Sequence, residues 1–372
     1  MKSLNFELPF FTGACEDRMN FGFPSKLNFN LYLDENTGIY SQKGTSDLHE
    51  LLREVYSFGS LANGSISSES GGVYLNKIVP FIESNFLFEK DSRILEIGIG
   101  KGHVINSLSS KYDKSFFVGF EPGNFDLIFD FKENVLLFHD FFQSEKIEGK
   151  FDLIYSLFVI EHIENPSSFL MDFHKVLHEN SKVVIAVPNC EDYIEYGDVS
   201  MLLHEHFSYF TRHSLTTLAN TSGFHVIDIQ ECEGAIFAVL GVGTARRNAL
   251  IEGHDFLYYL EGIERFSCKL NKVISEFEEH EIAVYCPIRA MNQFYMKNLT
   301  KVRLVDDSNE LIGKYLPLFE SKVESLSQMR NTPPKLILIY SWTFGAEIKN
   351  KCCALSELNT SKILTVEEIS KS

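Results

Sequence analysis

The stretch Ile94-Leu95-Glu96-Ile97-Gly98-Ile99-Gly100-Lys101-Gly102 sets one carboxylate and three alternating glycines at the end of an apolar run. A strand that ends in GxGxG and opens a helix turns tightly and lets a ligand approach its backbone. A carboxylate inside that strand suits a cationic amino group rather than a pyrophosphate, so Glu96 turns the reading away from a dinucleotide. Glu121, followed by Pro122, ends the next apolar run about twenty residues on, the place where an acid takes up ribose hydroxyls. Asp140 ends the third run and precedes Phe141 and Phe142. A carboxylate beside an aromatic ring can accept from an adenine amino group and cover the base's face. Strand-end acids also cap helices, but three at three successive strand ends point to one ligand.

Two histidine-bearing stretches complete the set. Ser156-Leu157-Phe158-Val159-Ile160-Glu161-His162-Ile163-Glu164-Asn165-Pro166 follows the fourth apolar run, and Leu203-His204-Glu205-His206-Phe207-Ser208-Tyr209-Phe210 comes shortly after the fifth. Imidazole gains and loses a proton near neutral pH, which makes His206 a candidate general base and Glu205 a candidate to orient it. Zinc is the competing reading, because His204 and His206, two apart, would share one face of a strand. HExxH is absent, however, since Ser208 stands at the second histidine position, and no third ligand is evident in the sequence. No metal is expected.

Seven short apolar runs position these residues. RILEIGI, SFFVGF, NVLLFH, FDLIYS and KVVIAVP alternate with helical patterns, which predicts a mostly parallel sheet with helices on both faces. FHVIDIQ and AIFAVLGVG are joined by a turn too short for a helix, so they are expected as an antiparallel pair at the sheet edge. After a helical stretch from Phe256 to Glu279, strands recur in EIAVYCP, KVRLVDD, PKLILIY and KILTV, a second and smaller α/β unit. Residues 1 to about 70 read as irregular, ending in the polar run Asn63 to Gly72. The expected divisions are therefore 1–72, 73–248 and 249–372.

With 372 residues, 44% of them hydrophobic, the chain has material for two or three cores. A net charge of -17 opposes phosphate backbones and anionic lipid, so neither nucleic acid nor membrane is expected as a partner. The seven cysteines are irregularly spaced without a CxxC pair, and signal-peptide and membrane-span patterns are missing, so a cytoplasmic location is expected. Oligomeric state is left open.

From about residue 90 to 190 the order of these motifs resembles the class I S-adenosylmethionine (SAM)-dependent methyltransferases, which carry the Glu-His pair and the acidic-Asn-Pro turn after their fourth strand. The resemblance implies an α/β fold of Rossmann-like type with SAM as cofactor. Glu96, Gly98, Ile99 and Gly100 would hold its methionine part, Glu121 and Pro122 the ribose, Asp140 and Phe141 the adenine, with Ser156 alongside. The row His204 to Phe210, with VDDSNELIGKYLPLF and PKLILIYSWTFGAEI further on, is similar to the sugar-nucleotide C-methyltransferases and their second Rossmann-like domain. That likeness implies a nucleotide-linked keto sugar as the small-molecule substrate, His206 as base, Glu205 beside it, and His162, Phe158, Leu203 and Tyr209 toward the substrate. The same histidine would serve O-methylation of a sugar or another phosphorylated metabolite, and a SAM-binding protein without catalysis is the remaining alternative. The chain departs from the family in three places. Phe158 stands where it has Asn, Leu203 where it has Tyr, and Asp34 and Thr37 where its N-terminal zinc domain has cysteines. Cys15 has no second cysteine at pair spacing, so residues 1–72 are expected as a metal-free remnant of that domain.

Overall fold

The structure, a computed structural model, describes residues 3–11, 13–18, 22–57, 69–123, 129–243 and 256–372. Most of the polar run around residue 63 and the expected boundary at 248 lie outside the described residues. Two compact units emerge: Leu33–Asn189 with Glu205–Gly253, and Lys2–Tyr32 with Cys190–His204 and His254–Ser372.

The first unit is built on a seven-stranded sheet in the order Phe224–Cys232, Ala235–Val242, Leu177–Pro188, Phe151–Leu157, Arg93–Ile97, Phe116–Phe120, Val135–Phe138. Arg93–Ile97 is central, parallel to Phe116–Phe120 on one side and to Phe151–Leu157 on the other. All pairings are parallel except those of Ala235–Val242, which runs against both of its neighbours. The antiparallel strand therefore lies one place in from the edge, and Phe224–Cys232 is the edge itself. Strand alternation feeds two cores. Leu95, Val118, Ile154, Val183 and Ile185 pack with Leu170, Phe173, Leu215 and Leu218. Ile94, Phe117, Leu153, Val184 and Ala186 turn the other way, onto Ile78, Phe81, Val104, Ile105 and Leu108. Burial on both faces is why these strands read as continuous apolar runs.

Local chemistry fixes where helices begin. Asn165 accepts from Ser168 N at 2.9 Å and Pro166 occupies the first turn, so Asn-Pro starts the helix Pro166–Phe173. Thr211 and Ser214 exchange side-chain and main-chain bonds to start Arg212–Thr221.

The second unit carries a five-stranded parallel sheet in the order Val323–Glu324, Arg303–Val305, Ile282–Tyr285, Leu336–Ile339, Lys362–Thr365. All four runs read from the sequence are present. The N-terminal zone corrects its expectation. Ser3–Pro9 pairs antiparallel with Lys26–Asp34, Phe6 opposite Phe29, and a helix follows at Ser46–Ser57. Leu4, Phe6 and Leu8, like Leu27, Phe29 and Leu31, alternate at the strand period, a pattern obscured by the polar Asn and Glu between them. Asp34 and Thr37 close the next turn together, Thr37 Oγ1 donating to Asp34 Oδ2 at 2.8 Å. Among the described residues, no helix is long and apolar enough to cross a membrane.

Candidate active site

At the C-terminal end of the central strand, Gly98 N and Ile99 N donate to Phe120 O at 2.8 and 3.2 Å, folding the glycine turn over the neighbouring strand. Gly98 has φ +80°, and a Cβ there would sit 2.2 Å from Val159 Cγ2, so only glycine fits. Gly100 has φ +50°, and its Cβ position meets nothing within 4 Å. That glycine therefore faces open space. Glu121 Oε2 accepts from Gly100 N at 2.9 Å and its Oε1 from Gly123 N at 2.9 Å. Glu96 lies beneath, buried, with Tyr155 Oη donating to Oε2 at 2.9 Å. Burial pushes the Glu96 carboxyl well above its ordinary range, and the negative charge of Glu121 adds to the rise. Ser156, next to Tyr155, is buried too, and its Oγ has no hydrogen-bond partner among the described residues.

Asp140 is partly exposed. Its Oδ1 accepts from Phe141 N at 2.7 Å, and Lys146 donates to Oδ2, which holds the carboxyl below its ordinary range. The two phenylalanines that follow behave differently. Phe141 is 59% exposed, whereas Phe142 packs edge-on against Phe120 and Phe173 as part of the core.

After the fourth strand, Phe158 adopts φ +57°, a left-handed conformation rare for a bulky residue. Such outliers gather at functional sites. The chain then makes a single tight turn, Ile160–His162. His162 Nδ1 donates to Glu205 O at 3.0 Å, and the rings of His162 and His206 meet edge-on with centroids 4.8 Å apart. Tyr209 Oη donates to His206 O at 3.1 Å. Burial lowers the His162 pKa to about 4 and raises that of Glu161 to about 8, where the charge of Glu205 also contributes.

The two histidines that were expected to share a strand face do not. His204 and Glu205 lie in a turn, and the strand is only Ser208–Tyr209. His204 belongs to the second unit, where Phe10 and Phe29 flank it edge-on and its Nε2 lies 3.3 Å from Leu27 O. Leu203 falls in that unit as well. His206 instead converges with Glu161 and His162, their ligand-capable atoms all within 4.8 Å of one another. Two of these three groups, Glu161 and His162, come from the Glu-His pair after the fourth strand, some forty residues earlier in sequence. Glu205 contributes its main-chain carbonyl to His162. Three partners escaped the sequence reading: Tyr155 on Glu96, Lys146 on Asp140 and Glu161 beside the imidazoles. Only Glu161 carried a signal, its place next to His162.

Residues 74–229 match the family model described as a methyltransferase domain, somewhat less than half of the chain. No curated protein matches. Among solved structures, the chain is similar to the 1,6-didemethyltoxoflavin-N1-methyltransferase of Burkholderia thailandensis with bound S-adenosylhomocysteine, at 12% identity and a TM-score of 0.42, covering 57% of this chain and 98% of that one. It is also similar to a chain of the complex between the Haloferax volcanii Trm112 methyltransferase activator and a methyltransferase, at 10% identity and a TM-score of 0.40, covering 50% and 96%. Likenesses this faint say nothing about substrate.

Proposed function

We propose that this chain, a SAM-dependent methyltransferase with the class I fold, methylates a nucleotide-linked keto sugar at the carbon beside the ketone, with His206 as the base. The methyltransferase activity and the cofactor follow from the domain match over residues 74–229. The role of His206 rests on one observation, that it stands edge-on to His162, which Glu205 O anchors; the nucleotide-linked keto sugar rests on the resemblance of the row His204 to Phe210.

The site fits the cofactor at two places. Gly100 leaves space that a side chain would fill, and Ser156 Oγ is buried without a partner. In this reading Glu121 receives the ribose hydroxyls, Glu96 and the glycine turn the methionine end, and Asp140 with exposed Phe141 the adenine. Pro122 and Ile99 shape the turn. SAM, when bound, supplies a methyl group on a sulfonium that leaves as a thioether. The protein's task is to align the acceptor and to remove its proton. His206 takes the proton from the carbon beside the ketone, the electron pair becomes an enolate, and that carbon forms the new bond to methyl. Glu205 acts through His162, which fixes the orientation of the His206 ring. Tyr209 and Phe158 are assigned to the substrate side. Phe158, in place of a polar Asn, points to a less polar acceptor than the family's own.

Proton exchange tests this directly. With SAM replaced by its demethylated product, the enzyme should exchange the proton beside the ketone of a nucleotide keto sugar with deuterated water. His206→Ala should abolish the exchange, cut turnover by roughly 10²–10⁴, and leave SAM affinity unchanged. Full exchange in the variant removes His206 as base, and no exchange in the parent favours O-methylation.

A further inference from the structure

Glu161, His162 and His206 come from two separate chain segments and present two imidazoles and one carboxylate to a common point. Glu161 is 2% exposed, and its Oε2 has no hydrogen-bond partner among the described residues. A buried carboxyl oxygen without a donor is costly unless the group holds a proton or a cation meets it. The carbonyl of Glu205 can only accept, so His162 Nδ1 at 3.0 Å carries the ring proton and Nε2 keeps its lone pair. Metal-bound imidazoles are held in this manner, one nitrogen on the ion and the other donating to a carbonyl or carboxylate.

We propose that Glu161, His162 and His206 form a divalent-cation site that takes a borderline ion such as zinc, and that a bound ion withdraws His206 from proton transfer. Two nitrogens and one carboxylate are a donor set for zinc and its neighbours, whereas magnesium and calcium favour oxygen alone. The 4.8 Å spread is wider than the spacing around an ion with bonds of about 2.0–2.2 Å, so side-chain rotation must draw the ligands inward. The site makes the enzyme inhibitable by metal: an imidazole lone pair shared with a cation is not available to a carbon-bound proton. This inhibitory half rests on the reading of His206 as base; the binding half does not.

Cobalt(II) is the probe of choice, because its visible bands report coordination geometry and a near-ultraviolet charge-transfer band would expose thiolate ligands from the chain's cysteines. The full-length protein, stripped with chelator, should bind one cobalt per chain with no thiolate band. Glu161→Gln and His162→Ala should each weaken binding at least tenfold while SAM affinity, measured in parallel, stays at the parent value. Binding that survives both substitutions, or a thiolate spectrum, overturns the site. Turnover with zinc at saturating concentration should fall at least tenfold and return with chelator. Unchanged turnover in the metal-filled enzyme overturns the inhibitory half. Faster turnover leaves the site standing and removes His206 as base.

Discussion

Glu121 places its two carboxylate oxygens on two main-chain amides, one in the glycine turn and one just past its own strand. A group so held is already oriented for a diol. Hydrogen bonds to a charged acceptor contribute about 1.5–3 kcal/mol, and every 1.4 kcal/mol is tenfold in affinity. Glu121→Ala should therefore weaken SAM binding at least tenfold by calorimetry. Gly100→Ala is the companion test. Its Cβ meets nothing, so the fold should lose only the roughly 1–2 kcal/mol of a left-handed alanine, yet SAM affinity should fall well beyond that strain. Parent-like affinity in both variants would place the adenosine elsewhere. The carboxylates at the three strand ends were legible because strand termini and acids are both local signals. Lys146 on Asp140 was not: a lysine six residues away, on a separate turn, has no pattern tying it to the acid. The convergence of Glu161 with His206 joins segments some forty residues apart, and spacing alone does not foretell it.

Strands buried on both faces announce themselves as unbroken apolar runs, as the central RILEI and KVVIAVP do, and eleven of the sheet strands, from RILEI to KILT, could be placed beforehand. Half-buried strands do not. The hairpin of Ser3–Pro9 with Lys26–Asp34 alternates with Asn, Glu and Lys, and the asparagines read as punctuation. The segment Cys190–His204 was equally opaque, for it is contiguous with the first unit in sequence and groups with the second in space. Its anchor is polar. Asp198 is fully buried, accepts from Trp342 Nε1 at 2.8 Å and from Ser200 N at 2.9 Å, while Trp342 stacks on Tyr196. Asn292 Nδ2 donates to the carbonyls of Val199 and Leu202. Trp342→Phe keeps a ring and deletes the donor, which should cost about 1–3 kcal/mol in denaturant unfolding. Burial already raises the Asp198 pKa, and the Trp342 bond opposes that rise. A carboxyl raised in the folded state contributes stability below its unfolded pKa and loses it as pH climbs. Removing Trp342 raises it further, so the deficit of the variant should widen from below about pH 3.9 toward neutrality. A deficit independent of pH would assign Trp342 to packing alone.

At the scale of the whole molecule, the net charge of -17 acts on the two reactants with opposite sign. SAM carries a net positive charge, from its sulfonium and ammonium against one carboxylate, whereas a nucleotide sugar carries the negative charge of its diphosphate. The field of the chain therefore draws in the cofactor and repels the proposed acceptor, and both effects reach across a Debye length of about 30 Å at 0.01 M salt but only about 8 Å at 0.15 M. Raising salt between those values should weaken SAM binding and lower the KM for the nucleotide sugar, without a matching change in kcat. The contrast matters because a non-specific salt effect would move both in the same direction. It also tests the substrate class. If the KM rises with salt instead, a local cluster of cations holds the acceptor's phosphates and outweighs the global field. If the KM is indifferent to salt while SAM binding weakens, the acceptor carries no phosphate, and a neutral small molecule replaces the nucleotide sugar as the substrate.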